Sequence, residues 1–391
     1  MSVAIYGGSF NPPHKGHTAA LKAAAEQLRP DRLIVMPAGD PPHKNLPADS
    51  PSGTDRLKLT RLAVSEIPGA EVSEMELLRA GPSYTSDTLR SIKAMYPGET
   101  VWLLMGTDMF LSVENWHESS YILGNSVIAV FCREEGQTEL VKRHAEELKS
   151  FCGADTVFIE SEPIPAASSA IRALLPERKG AELLDDEVYA EIIRRRLYGA
   201  KPDFEWLRGK AYAMLKPKRV PHVRGCEAEC IRLAERWGAD TEKAAEAGIL
   251  HDITKKLLLD EQLILCKKYG IINDTAEIES PKLLHAKTGA AVARAEFGVD
   301  EDVYNAILWH TTGREGMTLL EKVVYLGDYI EPTREFDGVD ALRRLAYESI
   351  DDAMILGLEM SLDDIRSYGA EPHERTVRAL DWFTKRKKGQ I

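Results

Sequence analysis

Apolar positions in the first half of the chain fall in short continuous runs rather than in strict alternation. Val3–Tyr6, Arg32–Met36, Val101–Met105, Val127–Cys132 and Thr156–Ile159 read as strands, and Ala70–Ser73 as a shorter extended piece. Runs that are apolar on both faces belong to strands covered on both sides. Between them, Thr18–Leu28, Arg56–Ile67, Ser86–Met95 and Asp186–Leu197 carry apolar residues at helical spacing. This strand–helix alternation predicts an α/β fold with a doubly wound parallel sheet, in which ligands bind beyond the carboxyl ends of the strands.

In the second half the strand signal fades. Helical spacing runs through Lys210–Leu215, Cys226–Trp237, Glu242–Leu250, Asp260–Tyr269, Lys287–Phe297, Val303–His310, Leu319–Ile330, Val339–Leu358 and His373–Phe383. Gly238, Gly270, Gly298 and Gly313 separate several of these segments, which predicts an all-α domain. The stretch Tyr198-Gly-Ala-Lys-Pro-Asp203 follows Arg194, Arg195 and Arg196 and reads as a helix stop and a junction. The expected organisation is a first domain over residues 1–198, a linker over 199–203 and a second domain over 204–391.

Composition narrows the function classes. Of 391 residues, 44% are hydrophobic and 29% charged, which excludes a disordered or low-complexity chain. The longest apolar run, 127–132, is far shorter than the roughly 20 residues a membrane span needs. The opening Met1–Tyr6 lacks the basic stretch and cleavage site of a secretory signal, so a cytoplasmic location is expected, with no membrane partner. The net charge of −12 argues against a nucleic-acid partner, which calls for a basic surface. Small phosphorylated substrates held by a few local cations remain compatible, and self-association is left open. The five cysteines include no Cys-x-x-Cys pair, and Cys226 and Cys230, one helical turn apart, read as packed thiols.

The first chemical motif is Gly7-Gly-Ser-Phe-Asn-Pro-Pro-His-Lys-Gly-His17, set between a predicted strand and a predicted helix. Gly7 and Gly8 allow a ligand to approach the backbone. Gly16 keeps the helix start open, so its free N–H groups and dipole can face an anion. His14 and His17 project to one side of that start, an arrangement suited to a phosphate gaining charge during reaction.

This segment resembles the signature of the nucleotidylyltransferase superfamily, and its full form is similar to bacterial nicotinate-nucleotide adenylyltransferase. Pro42-His43-Lys44, Ser83-Tyr-Thr-Ser-Asp-Thr-Leu89, Gly106-Thr-Asp-Met109, Trp116, Arg133 and Ser168-Ser-Ala-Ile-Arg172 extend the resemblance to about residue 198. In the last element Ala166 and Ala167 replace Ile and Ser, and Ser169 replaces Thr; His117 stands where relatives often carry Tyr. The resemblance implies a Rossmann-like nucleotidyltransferase fold and adenylyl transfer from ATP to nicotinate mononucleotide. It implies an ATP site on Gly7, Gly8, Ser9, Phe10, Gly106, Asp108, Ser168 and Ser169, with Asp108 on the ribose. His14 and His17 would meet the α- and β-phosphates, and Lys44 and Arg172 the triphosphate, with Mg²⁺ on the leaving pyrophosphate. Thr85, Trp116 and Arg133 would hold nicotinate mononucleotide, Trp116 by stacking on the pyridine ring. The phosphate nucleophile is already an anion, so catalysis reduces to positioning and charge stabilisation.

The helical half carries His222, His251-Asp252, His285, His310 and Asp328 on separate segments. Mixed imidazole and carboxylate ligands suit Fe, Mn or Zn rather than Ca. Six candidates exceed the three or four that one catalytic ion takes, which predicts two metals bridged by Asp252. The order His…His-Asp…His…His…Asp resembles the HD hydrolase superfamily. The surrounding words Ala247-Gly-Ile-Leu-His-Asp-Ile-Thr-Lys255, Leu284-His-Ala286, His310-Thr-Thr-Gly313 and Gly327-Asp-Tyr-Ile-Glu-Pro-Thr-Arg334 resemble its YqeK-type branch, with Gly327 where alanine is usual. That resemblance implies symmetrical hydrolysis of diadenosine tetraphosphate to two ADP with iron. Lys255 and Arg334 are the candidate phosphate contacts, Lys255 with a catalytic role. Two other readings are a different nucleotide or phosphodiester substrate for the helical domain, and a non-catalytic nucleotide sensor.

Overall fold

The computed structural model describes residues 2–40, 46–131, 138–161, 164–272, 274–278 and 280–390. These form two compact units, Met1–Lys201 and Pro202–Ile391.

Among its described residues the first unit is built on six parallel strands: β1 (Ser2–Gly8), β2 (Arg32–Pro37), β3 (Ala70–Val72), β4 (Thr100–Gly106), β5 (Val127–Phe131) and β6 (Thr156–Ile159). Their order across the sheet is β3-β2-β1-β4-β5-β6. Val3 to Tyr6 of β1 are all buried, as are Val101, Leu103, Leu104 and Met105 of β4. Strands buried on both faces are the condition for a parallel sheet between helical layers. The strand order reverses between β1 and β4, so the crevice beyond their carboxyl ends is the place for a ligand. Gly7-Gly8 and Gly106 end those two strands.

The helices of this unit are α1 (Lys15–Leu28), α2 (Gly53–Val64), α3 (Thr85–Met95), α4 (Thr107–Phe110), α5 (Ser119–Asn125), α6 (Thr138–Cys152), α7 (Ser168–Leu174) and α8 (Asp186–Arg194). α1 starts a turn earlier than the spacing predicts, because His14 is its N-cap. α8 stops at Arg194 rather than Leu197; Arg196 and Tyr198 take positive φ and close a short turn.

The second unit is helical throughout its described residues. Its helices are α9 (Phe204–Ala213), α10 (Val220–Trp237), α11 (Thr241–Leu250), α12 (Leu259–Tyr269), α13 (Thr275–Ile278), α14 (Pro281–Phe297), α15 (Glu301–Trp309), α16 (Leu319–Ile330), α17 (Val339–Glu348), α18 (Ile350–Ser367) and α19 (Glu374–Lys387). The single helix predicted over 339–358 is two. Ser349 is extended, at φ −153° and ψ 106°, and its side chain accepts from the Asp352 amide to start α18. Helices α10, α11, α14, α15 and α16 share one core that includes Cys226, Leu233, Ile249, Ala290, Ile307 and Val323. The approach of α11 to α10 depends on Gly248, since a Cβ there would lie 2.8 Å from the Glu227 Cα. That close crossing sets the carboxyl end of α11, and with it His251, beside His222.

Two candidate active sites

In the first unit the turn after β1 is held from several sides. Gly7 is exposed and a Cβ on it would meet nothing within 4 Å, so the strand end is open to a ligand. Gly8 lies against the Phe10 ring, where a Cβ would come to 3.1 Å. Phe10 is buried in the left-handed region at φ 42°. Arg56 of α2, 2% exposed, donates from Nη1 to the Ser9 carbonyl at 2.8 Å, and Asn11 Nδ2 donates to Ser50 Oγ at 2.8 Å.

His14 and His17 stack with ring centroids 3.7 Å apart. A Cβ on Gly16 would press on the His14 ring at 3.1 Å, so the glycine makes room for the stack. The His14 amide donates to His17 Nδ1 at 3.1 Å. That nitrogen therefore carries no proton, and the neutral ring keeps its N–H on Nε2 as a donor. The start of α7 is clipped to the same turn: Ser168 Oγ donates to the Pro12 carbonyl at 2.8 Å and Arg172 Nη1 to the Asn11 carbonyl at 2.6 Å.

The structure thus gathers Gly7 to Phe10, His14, His17, Ser168 and Arg172. Ser169 is exposed on the first turn of α7. Asp108 is exposed on α4, directly past the end of β4. Thr85 opens α3, and Trp116 is half-buried against the core under the sheet. Their segments lie side by side, because the Tyr84 and His117 rings are 4.2 Å apart and Arg90 bridges to Glu118. Lys44 and Arg133, with the Pro42-His43-Lys44 element, lie outside the described residues. Arg56 and Asn11 were not singled out from sequence; an arginine in a helix reads as a solvated charge until the fold buries it.

In the second unit the six predicted ligands converge. They form two groups, His222, His251 and Asp328, and Asp252, His285 and His310, each with ligand atoms within 4.8 Å of one another. All four imidazoles point Nε2 inward. Nδ1–H of His251, His285 and His310 donates to the carbonyls of Gly248 (2.8 Å), Lys282 (2.7 Å) and Ile307 (2.6 Å). Nδ1 of His222 pairs with Glu331 Oε1 at 2.9 Å. A carbonyl can only accept, so these contacts fix the tautomer and leave the Nε2 lone pairs facing each other, 3.4 Å apart for His222–His251 and 3.1 Å for His285–His310.

Asp252 stands between the groups. Its Oδ1 is 3.1 Å from His285 Nε2, and its Oδ2 is 3.5 Å from His251 Nε2 and 3.9 Å from His222 Nε2. Asp328 Oδ1 is 3.0 Å from His222 Nε2. Burial raises the Asp252 carboxyl, but His251, His285 and Lys255 outweigh it and hold it well below the usual carboxylate range. Asp328 is likewise held down by His222, His251 and Arg334 against its burial. Burial, with Lys255 for one and neighbouring imidazoles for the other, lowers His285 and His310, which keeps both neutral and fit to ligate. His251 differs: burial pushes it down, while Cys226 and Asp252 raise it.

Four imidazoles and two ionised carboxylates, one of which, Asp252, has a buried Oδ1 with no aligned donor, form a set that fits divalent cations. Three cations rim it. Lys255 Nζ lies 2.9 Å from His285 Nε2, and Arg334 Nη2 donates to Asp328 Oδ1 at 2.7 Å. Arg219, which was not singled out from sequence, donates from Nε to Asp252 Oδ2 at 2.6 Å. A further trio, Asp274, Glu277 and His373, has ligand-like spacing, but Lys287 and Arg375 already pair with Glu277. No helix among the described residues is long and apolar enough to cross a membrane.

Comparison with known proteins assigns the units separately. A cytidylyltransferase-like family model matches residues 5–174, and an HD domain model matches 219–333. A probable nicotinate-nucleotide adenylyltransferase of Caldicellulosiruptor saccharolyticus is 35% identical over 51% of this chain and 99% of its own. A symmetrical bis(5'-nucleosyl)-tetraphosphatase of Bacillus subtilis is 41% identical over 45% of this chain and 97% of its own. A probable nicotinate-nucleotide adenylyltransferase/Ap4A hydrolase of Mycoplasma genitalium is 27% identical over 92% of this chain and 97% of its own. An HD domain implies a divalent metal, and the two His/Asp groups are the residues that would hold it. The chain therefore joins a member of the nicotinate-nucleotide adenylyltransferase family, in its first unit, to a member of the symmetrical bis(5'-nucleosyl)-tetraphosphatase family, in its second.

Proposed function

We propose that the chain carries two enzymes, one in each unit. The first transfers AMP from ATP to nicotinate mononucleotide. A phosphate oxygen of the mononucleotide bonds to the ATP α-phosphorus, the bond from that phosphorus to the bridging oxygen breaks, and pyrophosphate leaves with that oxygen. The stacked His14–His17 pair supports this reading, with the Nε2 donor of His17 toward the phosphates. Arg172 and Ser168 sit on the same turn and add a cation and a hydroxyl, with Ser169 beside them. Lys44 is assigned to the triphosphate, Asp108 to the ribose, and Thr85, Trp116 and Arg133 to the mononucleotide. Mg²⁺ travels with the pyrophosphate.

The second enzyme splits diadenosine tetraphosphate at its centre. Water oxygen bonds to one of the two central phosphorus atoms, the bond from that phosphorus to the central bridging oxygen breaks, that oxygen leaves with the second ADP, and the proton lost by the water passes to solvent. The observation that carries this reading is the convergence of His222, His251, Asp252, His285, His310 and Asp328 about one carboxylate that faces both groups. Iron is the proposed ion; His222, His251 and Asp328 would hold one ion and Asp252, His285 and His310 a second, and Mn and Zn suit the same donors. When bound, such a pair supplies Lewis acidity toward phosphate and water. Lys255 and Arg334 hold the polyphosphate at the rim, and Arg219 adds a third cation there. A complete set of six donors favours catalysis over nucleotide sensing, since a sensor has no need of every ligand.

The test is a pair of variants in the full chain. His17→Ala should lower formation of the nicotinate dinucleotide about 100- to 1,000-fold and leave tetraphosphate hydrolysis at its normal rate. Asp252→Asn should do the reverse. Loss of both activities in either variant would contradict two separate sites.

A further inference from the structure

The six ligands are not backed equally. Three of the four imidazoles rest Nδ1 on a main-chain carbonyl, whereas His222 alone rests on a carboxylate. That carboxylate, Glu331, is fully buried and is itself built in. Thr333 donates to it twice, from Oγ1 to Oε1 at 2.5 Å and from its amide to Oε2 at 2.8 Å. Arg343 Nη2 donates to the Glu331 carbonyl at 3.0 Å and fixes the backbone behind it. On the other side α10 presents Gly225, and a Cβ there would overlap Glu331 Oε2. The recess on α10 is thus shaped for this carboxylate.

We propose that Glu331 is a positioning residue that makes the His222–His251–Asp328 group the tighter of the two cation sites. The proposal rests on the two-ion reading of the cluster. A carboxylate on Nδ1–H orients the ring and makes Nε2 a stronger donor than a carbonyl does. Only one group receives this support, so the two ions should bind with different affinities, and removing Glu331 should weaken one of them.

The experiment is a titration of Mn²⁺ into chelator-treated full-length protein, followed by calorimetry and by the free-ion electron paramagnetic resonance signal. The wild type should show two binding steps. Glu331→Gln keeps the shape and removes the charge, so it should weaken the tighter step by about 10–100-fold and leave the weaker one unchanged. Gly225→Ala is a second, independent variant. It keeps Glu331 but pushes the carboxylate off His222, and alanine suits a helix better than glycine. It should weaken the same step while adenylyl transfer by the first unit is unchanged. Two wild-type steps that neither variant moves, or that both variants weaken equally, would overturn the role of Glu331 and leave the two-ion reading standing. A single step in the wild type would overturn the two-ion reading itself, and this proposal with it.

Discussion

Arg172 reaches across the first unit to donate to the carbonyl of Asn11 at 2.6 Å, although the two lie 161 residues apart in the chain. The contact locks the helix that opens at Ser168 onto the turn that carries His14 and His17. A hydrogen bond from a charged group contributes about 1.5–3 kcal/mol. Arg172→Ala should therefore lower kcat/KM for adenylyl transfer by at least about 10- to 100-fold, with tetraphosphate hydrolysis unchanged. Steady-state kinetics with ATP and nicotinate mononucleotide measures this, and a wild-type kcat/KM would refute it.

The His17 donor makes a separate prediction. Its Nδ1 accepts from the His14 amide, so Nε2 is the ring nitrogen that would donate to a phosphate. Removing one preorganised donor to developing charge costs about 100- to 1,000-fold in kcat. His17→Ala should show that loss mainly in kcat, with a smaller change in KM for ATP. Unchanged turnover would remove His17 from the chemistry.

Gly327 and Cys230 form a matched pair in the helical core. A Cβ on Gly327 would overlap Cys230 Sγ, and both residues are buried. Gly327→Ala should destabilise the second unit by about 1–3 kcal/mol. Cys230→Ala in the same chain should recover most of that loss. Urea unfolding of the single and double variants reads the difference, and a neutral single substitution would contradict the packing argument.

Cation removal should act on one unit only. A ligand at about 100 times its dissociation constant stabilises the folded state by about 2.7 kcal/mol. Chelation should therefore lower the unfolding transition of the second unit, and Mn²⁺ should restore it, while the transition of the first unit stays in place. Scanning calorimetry with and without chelator checks this, and two unmoved transitions would speak against a bound ion.

What could be read from sequence followed from local pattern. Val3–Tyr6 and Val101–Met105 are apolar on both faces, and both lie in the middle of the parallel sheet. Helix α6 was missed because its stripe is thin, with only Val141 and Leu148 buried among its described residues. The break at Ser349 was missed because apolar spacing continues through it. At the candidate metal site the ligands stood out as chemistry-bearing residue types. Glu331 and Arg219 did not, because their roles depend on proximity; Glu331 lies 109 residues from His222. Arg56 was hidden for the same reason: only the fold buries it beneath the Ser9 carbonyl.

Incubating the full chain with diadenosine tetraphosphate and Fe²⁺ or Mn²⁺, with a chelator control and products identified by mass, tests the second activity directly. ADP as the sole product, lost on chelation, is the expected result. ATP together with AMP, or turnover that survives the chelator, would contradict the assignment.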